Sequence, residues 1–293
     1  YADCKSVGDI DGDGLPDVII GGGLQLNWYR YPAWTKTSIA TGNSEFTTDM
    51  QVGDVDGDGD LDVIVPDGST GNNVLWFENP RPAGNPATAA WTRHAIGAVG
   101  GFCHDLAVGD LNGDGRLDIV ARQQNAATSV FFQNTPTSWT KVTLTAAVDG
   151  EGTTVGDIDR DGDLDVVQNG YWLQNPLPGG NPLTGSAWTK RTIKSGWPID
   201  VGVATGDINN DGRLDVVLAH AESTGFMVWY EAPVDAVNGT WVEHMIDTSV
   251  DYAHTFKTAD INGDGQLDVV FAEMQQSSRK RVGFYLNGGG GLS

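Results

Sequence analysis

Val7-Gly8-Asp9-Ile10-Asp11-Gly12-Asp13-Gly14-Leu15-Pro16-Asp17-Val18 sets four aspartates at alternate or near-alternate positions, after a glycine and before a β-branched run. The phrase recurs five more times, with acidic runs opening at Asp54, Asp110, Asp157, Asp207 and Asp260, spaced 45 to 56 residues apart. Two further phrases keep the same beat. An aromatic pair follows each acidic run: Trp28-Tyr29, Trp76-Phe77, Phe131-Phe132, Tyr171-Trp172, Trp229-Tyr230 and Phe284-Tyr285. Then comes Trp, four residues, and Ile or Leu, at Trp34/Ile39, Trp91/Ile96, Trp139/Leu144, Trp188/Ile193 and Trp241/Ile246. Each repeat therefore holds four short β-type segments divided by turn residues, without helical periodicity of useful length. Four strands recurring about every 50 residues give the blade period of a β-propeller.

The predicted fold class is all-β, a propeller of four-stranded blades with six repeats visible, read as one domain over 1–293. Blades are expected near 1–41, 46–97, 102–145, 149–194, 199–247 and 252–293. The last is short of its outer strand, because Leu286-Asn287 runs into four glycines and then Leu292-Ser293. Tyr1 aligns with Tyr252 at the start of a first strand, so the N-terminus does not supply the missing piece. The expectation is a segment of a longer chain or a ring closed without that strand; seven blades would follow if the chain is a fragment.

Composition removes several function classes. Seventeen Lys and Arg stand against 39 Asp and Glu, a formal charge of −22. Binding nucleic acid or anionic membrane requires a basic footprint, which is missing here. No apolar run reaches the roughly 18 residues of a membrane span. The 39% apolar content with ten Trp is too rich for a disordered acidic tail. Cys4 and Cys103 are too few for a disulfide framework or a thiolate metal site, and free thiols are expected.

Hard cations such as Ca²⁺ take six to eight oxygens, and carboxylates at alternate positions of a tight loop converge on one ion. In the first loop the expected ligands are Asp9, Asp11, Asp13 and Asp17 with the backbone carbonyl of Leu15. The second offers Asp54, Asp56, Asp58 and Asp62 with position Asp60; the third Asp110, Asn112, Asp114 and Asp118 with Arg116. The fourth offers Asp157, Asp159, Asp161 and Asp165 with Asp163; the fifth Asp207, Asn209, Asp211 and Asp215 with Arg213. The sixth offers Asp260, Asn262, Asp264 and Asp268 with Gln266. An EF-hand opens alike but needs a bidentate Glu at position twelve, where the first loop has Ile20, and flanking helices. Asp and Gly also favour plain turns, yet six copies with the same ligand positions point to about one Ca²⁺ per repeat. Six ions would neutralise about half of the formal charge.

The Val-Gly-Asp-x-Asp-x-Asp-Gly-x-x-Asp loop followed by a β-branched run resembles the FG-GAP/VCBS-type propeller repeat, over essentially the whole chain. That family includes integrin α-chain propellers, propeller lectins and secreted carbohydrate-active proteins. The resemblance implies Ca²⁺ bracing each blade on one face and ligands bound elsewhere. Asn at the second ligand in three loops, and Arg160 where several loops have Gly, are the departures.

In such a blade the acidic loops occupy one face, and the loops leading into the first strands share the other with the turns between strands two and three. Thr48, Asp49, His104, Asp105, Glu151, Gly152, Val201, Gly202, His254 and Thr255 hold the leading positions; Asp67, Arg122, Gln123, His220, Glu222 and Glu273 belong to the turns. This rim is the candidate ligand site, with Asp49, His104, Asp105, Glu151, His220, Glu222 and His254 as candidate binding residues. Nine tryptophans fall in the repeated phrases, where packing between blades is expected. Trp197 is the exception, a candidate for stacking on a sugar ring or, equally, for capping a blade edge. His94 and His244 fall in outer strands as expected surface residues. No Gly-x-Ser-x-Gly, phosphate-binding glycine loop or His-Glu-x-x-His motif appears. Asn238-Gly239-Thr240 is one glycosylation sequon.

Three functions follow as expectations. The first is an extracellular, calcium-stabilised propeller binding carbohydrate or an extracellular protein at the rim. The second is a polysaccharide lyase or dehydratase, with His104 or His254 as base and Tyr252 as acid. The third is a structural or adhesive module of a larger secreted protein.

Overall fold

The computed structural model describes residues 4–42, 45–46, 48–68, 72–289 and 291–292. All named elements among them are β-strands, in six antiparallel sheets whose strands follow sequence order. The first blade is β1 (Cys4–Gly8), β2 (Asp17–Gly22), β3 (Gln25–Arg30) and β4 (Thr35–Thr41). The second is β5 (Gln51–Gly53), β6 (Asp62–Pro66), β7 (Asn73–Glu78) and β8 (Thr92–Ala98). The third is β9 (Phe102–Gly109), β10 (Asp118–Gln124), β11 (Ala126–Thr135) and β12 (Ser138–Thr143). The fourth is β13 (Thr154–Gly156), β14 (Asp165–Gln168), β15 (Tyr171–Gln174) and β16 (Thr189–Thr192). The fifth is β17 (Val201–Gly206), β18 (Asp215–His220), β19 (Thr224–Glu231) and β20 (Val242–Asp251). The sixth has three strands among the described residues, β21 (Thr255–Ala259), β22 (Asp268–Ala272) and β23 (Val282–Tyr285). The chain is thus a six-bladed β-propeller, as the repeat predicts.

Two compact units can be distinguished, Tyr1–Asp149 with Leu183–Gly185, and Gly150–Pro182 with Ser186–Ser293. In the first, Ile19, Leu26, Phe46, Val63 and Phe77 share one core cluster, and Ile64, Trp76, Leu106, Ile119 and Phe131 another. In the second, Val167, Trp172, Val216 and Tyr230 pack together, as do Val217, Trp229, Phe256 and Val269.

Two recurring residues explain how neighbouring blades meet within a unit. The glycine before the acidic run leaves room for a leucine of the next repeat at Gly8, Gly53, Gly156 and Gly206. A Cβ on Gly53 would lie 2.5 Å from Leu117, one on Gly206 2.6 Å from Leu267, and one on Gly8 2.8 Å from Leu61. At these distances a Cβ would displace the leucine methyl, so the glycine serves close packing. A polar staple runs the same way. Asn79 Nδ2 donates to Ile10 O (2.9 Å), Gln133 Nε2 to Val55 O (2.6 Å) and Asn287 Nδ2 to Ile208 O (2.6 Å).

The third-strand register differs from the sequence phrases in two blades. Cross-strand pairing aligns Trp28, Trp76, Trp172, Trp229 and Phe284, opposite Ile19, Ile64, Val167, Val217 and Val270. In the third blade that position is Val130, opposite Val120. The aromatic pair therefore starts one residue late in the third blade and one residue early in the fourth. Trp34 corrects another expectation: it is 51% exposed, with φ +54° and its ring edge-on to Tyr31 at 5.3 Å. It closes the turn before β4 instead of packing between blades.

Candidate functional site

Each acidic loop is shaped by its own aspartates. Asp9 Oδ1 accepts from Asp13 N (3.0 Å) and Oδ2 from Gly14 N (2.8 Å), and Asp54, Asp110, Asp207 and Asp260 repeat the arrangement. The fourth residue of each run has a left-handed backbone: Gly12 (φ +72°), Gly57, Gly113, Arg160 (+62°), Asn210 (+58°) and Gly263. Arg160 and Asn210 hold the same conformation against the side-chain penalty that glycine avoids.

The last aspartate of each loop is buried and acts as a clasp. Asp62 Oδ2 accepts from Val55 N (2.9 Å) and Oδ1 from Asn79 N (2.8 Å). Asp17, Asp118, Asp165, Asp215 and Asp268 do the same, tying the loop's second residue to the end of the third strand. Burial, opposed by these N–H bonds, pushes Asp62 and Asp165 up to about 8, and Asp118 and Asp215 to about 7.

The remaining carboxylates converge. One oxygen each of Asp9, Asp11 and Asp13 lie within 4.8 Å of one another, as do those of Asp54, Asp56 and Asp58, and of Asp157, Asp159 and Asp165. Buried oxygens without a hydrogen-bond partner remain on Asp11, Asp157, Asp159 and Asp163, and both oxygens of Asp60, a residue only 5% exposed, are in that state. Burial, then Asp58, raises Asp60 to about 7; burial, then Asp161, does the same to Asp163. A buried carboxylate lacking a donor is costly in free energy. A hard divalent cation among these oxygens would supply the missing charge, so the donor set fits Ca²⁺. Three loops already hold a guanidinium. Arg30 reaches Asp11 and Asp13, Arg116 reaches Asp114, and Arg213 reaches Asp211.

At the opposite strand ends, the second unit gathers three of the candidate rim residues. His254 Nε2 lies 3.4 Å from Glu151 Oε2 and 3.8 Å from Glu222 Oε1. Glu151 is buried and held by a bridge to Asp200 and by its N–H to Ile199 O. Tyr252 (φ +57°) makes the tight turn that carries His254, whose N–H donates to Tyr252 O at 2.8 Å. His220 and Trp197 form a separate aromatic group with Phe226, centroids 4.9–5.3 Å apart. The Trp197 indole donates to Tyr230 Oη (2.9 Å), and burial lowers the pKa of His220.

In the first unit, Asp49 accepts from Leu106 N (2.9 Å) and Gln51 Nε2 (3.1 Å), and His104 Nδ1 is 3.3 Å from Asp105. Several turn residues are engaged in structure. Gln123 caps Gly100 and Gly101, Asp67 accepts from Asn73, and Glu273 pairs with Arg279 and Arg281. His94 and His244 are not simple surface residues. They stack on the buried Trp76 and Trp229 at 4.3 and 4.1 Å, each against a glutamate. Cys4 and Cys103 are buried thiols. Tyr1 lies outside the described residues.

A profile described as FG-GAP-like repeat matches residues 9–65, 54–121, 110–167 and 207–271. No curated protein sequence matches the chain. Among solved structures, a lectin of Agrocybe aegerita described as recognising non-reducing terminal N-acetylglucosamine is similar, at 15% identity and a TM-score of 0.61. That alignment covers 98% of this chain and 77% of the lectin. BBS1N in complex with ARL6DN is similar at 12% identity and a TM-score of 0.60, covering 100% of this chain and 81% of the other. At these identities the likeness speaks to fold.

Proposed function

This chain belongs to the FG-GAP-like repeat family, and from that premise we propose that it is an extracellular, calcium-stabilised binding propeller. Its ligand is carbohydrate or another extracellular molecule, held at the strand ends opposite the acidic loops. The observation that carries the calcium reading is the buried Asp60 carboxylate, with neither oxygen hydrogen-bonded, in a loop of five aspartates. Extracellular millimolar Ca²⁺ fills even weak sites of this kind. When bound, the ion supplies charge balance and cross-links the loop. The residues that would hold it are Asp9, Asp11, Asp13 and Asp17 with the Leu15 carbonyl, and their counterparts in the other loops.

The ligand reading rests on the acid–histidine group of Glu151, Glu222 and His254, which offers hydrogen-bond acceptors and a switchable donor to a hydroxyl-rich molecule. A propeller of this fold that recognises a terminal sugar, the Agrocybe lectin, is in keeping with it. A glycan array in calcium buffer, with acidic polysaccharides included and absorbance near 235 nm followed for unsaturated products, tests the proposal. Binding that His254→Ala and Glu222→Gln weaken, without new absorbance, is the expected outcome. Rising absorbance would replace it with a lyase based on His254 or His104, and silence in both would reduce the chain to a scaffold.

A further inference from the structure

The turn joining β3 to β4 lies at the acidic-loop end of the first blade and is four residues long, Tyr31-Pro32-Ala33-Trp34. Its first residue is pinned, Tyr31 N donating to the clasp carboxylate of Asp17 at 2.8 Å. Its last residue is unusual in two ways. Trp34 is 51% exposed, where each of the other nine tryptophans is buried or half-buried, and its φ is +54°. A left-handed backbone suits glycine or asparagine and penalises a bulky side chain. An exposed indole also leaves a large apolar ring in water.

The corresponding loops of two other blades show what this tryptophan does when it serves the fold. Thirteen residues separate β7 from β8, and fourteen separate β15 from β16. In each, the indole is tied to its own loop. Trp91 Nε1 donates to Pro86 O (3.1 Å) and Trp188 Nε1 to Pro182 O (2.9 Å), and the two residues are 9% and 2% exposed. The four-residue turn has no chain to spare for such a cover. Trp34 instead meets Tyr31, itself 39% exposed, edge-on at 5.3 Å and 77°. Two aromatic residues flanking one short turn thus present ring surface to solvent, on a backbone that a smaller residue would fit better. Residues held in sparsely populated backbone regions cluster at ligand contacts.

The surroundings narrow the ligand. Arg30, Thr35 and Lys36 border the pair in sequence and are exposed, so the apolar area is confined to the short turn. That is too small for the apolar core of a protein interface. A chain with a formal charge of −22 is also repelled by an anionic membrane. A pyranose with equatorial hydroxyls matches. Its axial C–H groups make a flat apolar face of one ring, and its rim takes hydrogen bonds. Donors stand beside the aromatic pair: the Arg30 guanidinium, held by Asp11 and Asp13, the Lys36 ammonium, 3.4 Å from Gln25 Oε1, and the Tyr31 hydroxyl.

We propose that Tyr31 and Trp34 form a stacking site for a neutral, gluco-configured pyranose, on the acidic-loop side of the first blade and independent of the rim site. The test uses the whole chain in calcium buffer with cellohexaose and chitohexaose as probes, read by calorimetry and by acrylamide quenching of tryptophan fluorescence. A hexasaccharide should bind and shield the most accessible tryptophan from the quencher. Trp34→Asn supplies a residue that the left-handed turn favours. The variant should therefore melt at or above the parent temperature while affinity falls at least about tenfold. Tyr31→Ala should weaken binding severalfold. No binding of either probe, or unchanged affinity in Trp34→Asn, would overturn the proposal. A lower melting temperature for Trp34→Asn would also overturn it, by showing that the indole serves the fold. Binding that is lost in His254→Ala yet kept in Trp34→Asn would leave the rim reading standing and overturn this one.

Discussion

Loops 54–62 and 157–165 place aspartate at every alternate position, whereas loops 110–118 and 207–215 put asparagine at the third position and arginine at the seventh. The spacing is the same, but the charge balance is not. Arg116 and Arg213 fold back onto Asp114 and Asp211 and anchor to Gln133 O and Ala232 O at 2.9 and 2.6 Å. Among the described residues no salt bridge reaches a carboxylate of loops 54–62 or 157–165, although Arg160 lies within the second, and buried, unpartnered oxygens remain on Asp60, Asp157, Asp159 and Asp163. A repeated motif can therefore be electrostatically self-sufficient in one blade and dependent on an outside ion in another.

The largest effect that could break this comparison is chelation. An ion bound only by the folded state stabilises it by about 2.7 kcal/mol at a hundredfold excess over Kd, and several filled sites should together shift melting by roughly 10 °C or more. Differential scanning calorimetry with and without EDTA measures it; an unmoved curve would reduce the loops to ordinary turns.

Paired substitutions sharpen the comparison at a smaller scale. Asp60→Asn should stabilise the chelated protein by about 1 kcal/mol, by removing a buried unpaired charge, and shrink the gain on adding calcium. Arg213→Gln should destabilise the chelated protein by a similar amount and enlarge that gain. Urea titrations in both conditions give the two signs, and effects of the same sign would contradict the distinction.

A further prediction is a pH slope. Asp60, Asp62, Asp118, Asp163, Asp165 and Asp215 sit at about 7 to 8 in the ion-free fold, against about 4 when unfolded. Between those values the folded state holds more protons than the unfolded one, so stability falls as pH rises from about 4 and levels off above about 8. Asp163, partly exposed and screened by solvent, should contribute least to that fall. Saturating calcium should flatten the slope, and equal slopes with and without it would show that these carboxylates do not meet the ion.

Much of the fold was legible because the repeat writes it six times: the acidic run, the β-branched strand behind it and the turn glycines each mark a fixed place. The third-strand register was not, because Phe131-Phe132 and Tyr171-Trp172 look equivalent as letters and only pairing with β10 and β14 shows the slip. The acid positions of the loops could be read, but not their division of labour. Whether an aspartate's oxygens meet backbone N–H groups, as in Asp62, or nothing, as in Asp60, depends on the third strand 17 residues away. Spacing also could not separate Trp34, exposed at a turn, from Trp91, 9% exposed in the core. At the rim, Glu151 and His254 are about a hundred residues apart in sequence, and their approach depends on blades that sequence alone does not orient.

The staples from Asn79, Gln133 and Asn287 reach from one repeat to the acidic loop of the repeat before it, and the leucines reach the glycine that precedes that loop. Within each unit that gives the assembly a direction. A fluctuation that opens a blade releases the loop on its N-terminal side first, so amide exchange and ion escape should spread toward the N-terminus, like a row of overlapping tiles lifted from one end.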